Sequence, residues 1–417
     1  MKAPVSRKIL AAAVAGNALE FYDFVAYSFF AVSIGKSFFP TSSASSSLLI
    51  AVTVFGVGFL SRPFGGIFIG LFADRAGRKP AMLLTVALIT AGTLAIGLTP
   101  TYASIGIAAP AVIVLARLVQ GLALGGEVGP STAYLVEAAP DHRRGLYGSW
   151  QMASQGIATF VAGGLGLGLA ATLSPADMQS WGWRVPFLVS VLLVPVALYL
   201  RSAMPETLQT RDAGLPVAGA DRTSRRKVVC LAILVVAGGT VSTYVGAYMT
   251  TYAVTTLKLA PSTSLAPTVL MGLATICFGL LGGWLSDRFG RKPVMFWPRL
   301  AVLVLIVPAF MYLVAHPSLG VLLVVTAVLS ALTAMSAAAS IVAIPEMLPQ
   351  HFRATGLSIA YAVGVSIFGG STQLVVTWML NAGGGALTPA WYVAGTSVIA
   401  LGAMFFMRET AGGRLGD

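Results

Sequence analysis

Long apolar runs recur from one end of this chain to the other, separated by short polar stretches. They fall at 9–34, 47–72, 81–99, 106–137, 146–173 and 184–201, and again at 227–257, 264–286, 293–315, 319–345, 353–380 and 388–407. Eighteen or more apolar residues suffice to cross a bilayer as an α-helix. The pattern therefore predicts an all-α membrane protein with twelve transmembrane helices. The longest polar segment, 201–227, carries Pro205, Gly214, Pro216 and Gly219 and ends in a basic cluster. It divides the chain into a first six-helix bundle (1–200), a linker, and a second six-helix bundle (228–417).

Composition agrees with this reading. Of the 417 residues, 57% are hydrophobic and only 10% charged, against roughly 25% charged in soluble domains. The net charge of +12 would suggest nucleic acid in a soluble protein, but no basic stripe with stacking aromatics accompanies it. Nearly all basic residues sit between apolar runs. Of the 26 Lys and Arg, Lys36, Arg184 and Lys258 fall on the side opposite the termini, and Arg62, Arg117 and Arg299 fall within spans. The remainder lie on the side of the termini, which places both termini in the cytoplasm. Cys230 and Cys277 both lie in apolar runs, so neither a disulfide framework nor a metal site is indicated. The first run lacks a small-residue cleavage site and carries Glu20 and Asp23, so it is expected to be a retained first helix.

Two loop patterns occur once in each half. Asp74-Arg75-Ala76-Gly77-Arg78-Lys79-Pro80 returns as Asp287-Arg288-Phe289-Gly290-Arg291-Lys292-Pro293 between the second and third spans of each half. Glu137, Pro140, His142 and Arg144 return as Glu346, Pro349, His351 and Arg353 between the fourth and fifth. Parallel six-helix repeats form one transporter plan, with the substrate path between them. These loops read as a conformational latch: Asp74 is placed to accept hydrogen bonds from the next helix's N-terminus or to pair with Arg144. The alternative is a basic loop that only fixes orientation.

The frame Asp74-Arg75-x-Gly77-Arg78-Lys79 resembles the signature of the major facilitator superfamily. Further segments resemble its metabolite–proton symporter family: Gly16-Asn17-x2-Glu20-Phe21-Tyr22-Asp23-Phe24, Arg62-Pro63-x-Gly65-Gly66, Arg117-x2-Gln120-Gly121-x3-Gly125-Gly126-Glu127 and Gly182-Trp183-Arg184-x-Pro186-Phe187. The resemblance implies two pseudo-symmetric bundles, alternating access and proton-driven uptake across a bacterial inner membrane. Ser149-Trp150-Gln151-x3-Gln155 and Arg353-x2-Gly356-x-Ser358-x-Ala360-Tyr361…Phe368-Gly369-Gly370 are most similar to citrate and tricarballylate symporters.

Ionisable groups within spans are costly and hence candidates for function. Glu20, Asp23 and Glu127 oppose Arg62 and Arg117, leaving one net negative charge. Related sugar–proton carriers of the same superfamily set a first-helix acid against a fourth-helix Arg, which makes Asp23 with Arg117 the first choice for proton coupling and Glu127 with Arg62 the second. A static ion pair is the alternative for each. Arg299 stands only a turn or two into the ninth span and is expected to snorkel to the cytoplasm. A carboxylate substrate needs cationic partners, and Arg117 and Arg62 are the expected ones. Asn17, Tyr22, Tyr27, Gln120, Gln151 and Gln155 in the first half, with Tyr244, Tyr248 and Tyr361 in the second, are expected to complete the site or to bond helices together. The second half is expected to contribute shape and neutral donors rather than charge.

The leading expectation is proton symport of citrate or a related tricarboxylate, with no cofactor, working as a monomer in the bilayer. Alternatives are a dicarboxylate such as 2-oxoglutarate, a shikimate-like acid or a zwitterionic osmolyte. An osmosensing member is expected to carry a long C-terminal helix, whereas Asp417 follows soon after the last span. An enzyme is disfavoured because His142, His316 and His351 lie in loops or at a span end, with no nucleophile–base set. A transporter-like sensor would need a signalling domain, for which neither tail has the length.

Overall fold

The computed structural model describes residues 7–41, 43–76, 78–125, 132, 135–136, 139–202, 222–260, 265–348 and 353–413. Among them all regular structure is helical. Each of the twelve expected spans corresponds to a helix. In the first half these are α1 (Arg7–Phe29), α2 (Ala44–Leu60 continued by Arg62–Ala76), α3 (Arg78–Leu98), α4 (Ala108–Gly125), α5 (Arg144–Thr172) and α6 (Val185–Ser202). In the second half they are α7 (Arg222–Thr255), α8 (Ala266–Phe289), α9 (Arg291–Ala315), α10 (Leu319–Glu346), α11 (Arg353–Gly364 running on to Gly370–Asn381) and α12 (Thr388–Phe406).

Three spans depart from the uninterrupted rods read from hydropathy. After α1 the chain turns by 67° into a short helix, Ala31–Phe38. That helix lies against the start of α2, where a Cβ on Gly35 would stand 2.9 Å from Ser47 O. At Ser61, between the two parts of α2, the hydroxyl donates to Gly58 O (3.1 Å) and Leu118 O (2.8 Å). In α11 a π turn, Val365–Gly369, joins the two α-helical parts. Helix α7 begins at Arg222, five residues before its apolar run, because a helix can extend beyond the hydrocarbon on basic residues.

The outward surface is apolar: Leu60, Phe68, Ile107, Leu192, Trp297 and Phe405 are all exposed. Exposed apolar surface on this scale is stable in lipid, not in water. Aromatic side chains fill the first half, among them Phe24, Tyr27, Phe38, Phe55, Phe59 and Trp183. Tyr248, Tyr252 and Phe310 anchor the core of the second half.

The halves meet chiefly where α5 packs on α8 and α2 on α11. Small residues permit both approaches. A Cβ on Gly272 would stand 2.3 Å from Phe160 N, and one on Gly56 would stand 2.7 Å from Gly370 O. Within the first half, the glycines of the Arg62 and Arg117 segments do the same for α2 and α4. A Cβ on Gly65 would stand 1.8 Å from Leu122 O, and one on Gly125 would stand 1.9 Å from Arg62 O. These two motifs are two sides of one helix contact.

Candidate functional site: a buried relay beside a central cavity

Asp23 sits on α1, is 3% exposed, and faces the interior of the first bundle. One carboxylate oxygen, Oδ2, accepts from Thr93 Oγ1 of α3 (2.5 Å). Thr93 in turn accepts from Gln120 Nε2 (2.9 Å), and Gln120 Oε1 accepts from Arg117 Nη1 (2.9 Å), both on α4. The acid and the guanidinium expected to pair are thus joined through two neutral side chains. The other oxygen, Oδ1, has no hydrogen-bond partner. Asp23 also lines a small apolar cavity that Ser190 and Thr90 share. A buried carboxylate with one oxygen left open is incompletely satisfied, which is costly in a low-dielectric interior.

Both deep arginines of the first half are boxed by aromatic rings. Arg117 Cζ lies 4.4 Å from the Phe24 ring centroid, 4.5 Å from Tyr27 and 5.1 Å from Phe55. Its Nη2 donates to Phe55 O (3.3 Å). Arg62 Cζ lies 4.1 Å from Phe59 and 4.7 Å from Phe24. Cation–π contacts hold a desolvated cation at this range. Tyr244, from α7 of the second half, closes the box at 5.6 Å from Phe59 and 5.9 Å from Phe55.

Between the halves lies a central cavity, lined by residues of both. Gln155, Tyr244 and Tyr361 line it, as do Ser242, Thr326 and Arg299. Arg62 and Arg117 are absent from this lining; the aromatic box separates them from it. Asn17, Gln151 and Ser154 satisfy one another between α1 and α5: Asn17 Nδ2 donates to Ser154 Oγ (2.5 Å), and Gln151 Nε2 donates to Asn17 Oδ1 (3.0 Å). Gln155, one turn on, has an unpartnered Nε2. Tyr27 OH donates to Ala51 O (3.2 Å), and Tyr248 OH accepts from Thr377 (3.0 Å). Tyr22 OH is buried without a partner. Glu127 and Glu137 lie outside the described residues, and Glu20 lies on α1 with its side chain outside them.

The repeated loops come together at one end of the interface. Arg291 holds Glu346 with Nε (3.1 Å) and Nη2 (3.1 Å), and holds Asp287 with Nη1 (2.8 Å). Asp287 reaches across to the first half and accepts from the backbone N–H groups that open α5. Arg144, on that same turn, lies 3.9 Å from Glu346 and is bonded to Asp141. It also donates to Gly413 O (2.9 Å). The N-terminus that follows Asp287 is capped by another residue, Glu409, which accepts from Arg291 N (2.8 Å) and Lys292 N (2.9 Å). Arg288 turns outward against Trp284 and Phe289. Gly77 lies outside the described residues, as do the side chains of Asp74, Arg75, Arg78 and Arg353.

A family model described as "Sugar (and other) transporter" matches residues 8–213 and 218–416. The chain belongs to the sugar (and other) transporter family. It is a multi-pass membrane transporter of the major facilitator superfamily and not an enzyme. It is 36% identical over 391 residues to the citrate–proton symporter of Klebsiella pneumoniae, covering 93% of this chain and 88% of that one. It is 34% identical over 427 residues to the glycine betaine/proline/ectoine/pipecolic acid transporter OusA of Dickeya dadantii, covering 97% and 84%. The fold matches the partially occluded, inward-open form of the xylose transporter XylE from E. coli. The TM-score is 0.79 at 19% identity, with 98% of this chain and 99% of that chain covered.

Sequence reasoning missed two members of the site in this transporter. Thr93 has no charge to draw attention in an apolar span, and only the fold brings it between Asp23 and Gln120. Arg299 was expected to snorkel, yet it is 1% exposed and lines the cavity. Its position near a helix end suggested escape to the surface. Helix α7 blocks that route by accepting from Nη1 at Gly238 O (3.2 Å) and Ser242 Oγ (2.7 Å).

Proposed function

We propose that this protein is a proton symporter that imports a small carboxylate, citrate or a related tricarboxylate, by alternating access. It works as a monomer in a bacterial inner membrane with both termini in the cytoplasm. The observation that carries the reading is the relay Asp23–Thr93–Gln120–Arg117 standing beside the cavity. Substrate chemistry adds support: citrate, betaine, proline, ectoine and pipecolic acid, named for the two relatives, all bear a carboxylate.

The relay gives the coupling a sign. While Asp23 is ionised, the chain of hydrogen bonds balances the Arg117 charge. A proton on Asp23 removes that balance, and the positive field of Arg117 and Arg62 then reaches the cavity through the aromatic box. Charges a few ångströms apart in a medium of low dielectric interact by several kcal/mol, so a carboxylate enters more readily once the proton is aboard. Tyr244 touches both the box and the cavity and carries the change across the two halves. Asp287, Arg291, Glu346 and Arg144 form the latch that opens at the cytoplasmic end, together with their repeats Asp74, Arg75, Gly77, Arg78, Glu137 and Arg353. Glu20 and Glu127 with Arg62 form the second proton-linked set.

Proteoliposomes loaded at high internal pH and diluted into acidic buffer with labelled citrate test the reading. Accumulation that collapses with the pH gradient, and that tricarboxylates compete more strongly than betaine, is the expected result. Uptake indifferent to the gradient, or competed only by betaine and proline, overturns it.

A further inference from the structure

The relay and its arginines explain proton coupling but leave the cavity wall itself without a first-half cation. Among the described lining residues, Arg299 is the one that carries a charge. We propose that Arg299 is the subsite that receives a carboxylate of the transported anion, with Thr326, elsewhere on the same cavity wall, as a neutral donor to it; this rests on the carboxylate-symport reading above.

Three observations converge on it. The first is unspent hydrogen-bonding capacity. A guanidinium offers five N–H donors, and the two bonds of Nη1 to Gly238 O and Ser242 Oγ aim it across α7. Nε has no partner, although the residue is 1% exposed. Thr326, 3% exposed and on the same cavity, has an unpartnered Oγ1. Buried donors left open on a cavity wall are sites for an acceptor brought from outside.

Second, among the described residues the charge has no acidic partner in its half. From Arg222 to Asp417 the sequence contains four acidic residues, Asp287, Glu346, Glu409 and Asp417. Asp287 and Glu346 are engaged by the Arg291 side chain, and Glu409 by the backbone N–H groups of Arg291 and Lys292, all at the loop end. Arg291 is eight residues from Arg299, about 12 Å along the helix at 1.5 Å per residue. A buried cation without an anion is strongly unfavourable, and a bound carboxylate would supply the missing charge. Third, tying α9 to α7 does not require a charge; a neutral amide could donate to the same carbonyl and hydroxyl. What Arg299 adds beyond that is a positive field and a fork that matches a carboxylate.

Equilibrium binding of labelled citrate and of 3-hydroxyglutarate, which lacks one carboxylate, to the purified full-length protein tests this. R299Q should weaken citrate binding about ten- to hundredfold, as expected for a charge-assisted hydrogen bond. It should also bring the two ligands closer to equal affinity. T326V, whose hydroxyl has no partner in the protein, should weaken citrate about two- to tenfold. S242A, which keeps the charge, should stay within about threefold of wild type. An R299Q protein that binds citrate like wild type overturns the proposal, as does S242A losing as much as R299Q. So does equal loss for both ligands. Should R299Q fail to fold, wild-type citrate affinity in both R299K and T326V overturns it. Wild-type protein that binds neither acid instead overturns the carboxylate reading beneath it.

Discussion

Asp287 of the second half caps a helix of the first: its carboxylate accepts from the backbone N–H groups of Gly145 (2.7 Å) and Leu146 (2.8 Å). Gly145 is required for the approach, since a Cβ there would stand 2.4 Å from Gly283 O. The first turn of α5 thus depends on a residue 142 positions away. Helix capping by a carboxylate contributes about 0.5–2 kcal/mol. Asp287→Ala should therefore speed hydrogen–deuterium exchange at the Gly145 and Leu146 amides by about two- to thirtyfold. Unchanged exchange at those amides would show that Asp287 does not hold the halves together.

Asp23→Asn should abolish accumulation against a gradient while sparing exchange of labelled for unlabelled substrate at equal concentrations. The amide keeps the contact with Thr93 but cannot carry the proton. Thr93→Val removes both bonds of the relay's middle member, one of them to a carboxylate, and should lower proton-driven uptake about ten- to hundredfold, the range of a hydrogen bond to a charged group. Asp23→Asn protein that still concentrates substrate would remove the acid from the coupling step.

Glu409 gives a pH dependence outside the membrane. Burial pushes its carboxyl up, but backbone N–H groups of Ala411, Arg291, Lys292 and Thr410 outweigh burial and hold it below the usual carboxylate range. A depressed value means stability that is present above the unfolded value, about 4.3, and lost as the pH falls through the folded one. Because Glu409 is exposed, the effect should stay below about 1 kcal/mol. Thermal unfolding of E409Q should therefore converge with wild type on acidification from pH 7 to pH 3. A constant gap between the two across that range would count against the cap.

Gly121→Ala should destabilise the protein by about 1–3 kcal/mol or more, through overpacking of α4 on α2. The new Cβ would stand 1.8 Å from Gly58 O. Gly164→Ala meets nothing within 4 Å and should be near neutral. Melting of the two variants in one detergent compares them directly; equal melting temperatures would refute the packing account.

Much of the fold was legible because membrane helices announce themselves by length and apolarity alone. The halves were legible because Asp287 and Asp74 stand in matching loops. Asp23 and Arg117 stood out as charges in apolar runs, but their separation by Thr93 and Gln120 depends on the packing of α3 against α1 and α4, which hydropathy does not encode. Arg299 was misjudged for a related reason. Distance from a helix end says how far a side chain must reach, not which neighbour stands in its way. Likewise, the glycines of the Arg62 and Arg117 segments read as family motifs and proved to be a steric requirement between two helices.

The π turn at Val365–Gly369 sets the rotational phase of α11. Each residue of an α-helix advances the side chain by about 100°, so one additional residue offsets everything beyond it. Tyr361 before the turn points to the cavity, while Gln373 after it donates to Ser28 of the first half. Loss of a single residue here would keep span 11 long and apolar enough to cross the membrane. It would also swing one of these faces through more than a quarter turn, separating the cavity-lining face from the contact between the halves. In this helix, insertions and deletions are therefore expected to be far less tolerable than substitutions.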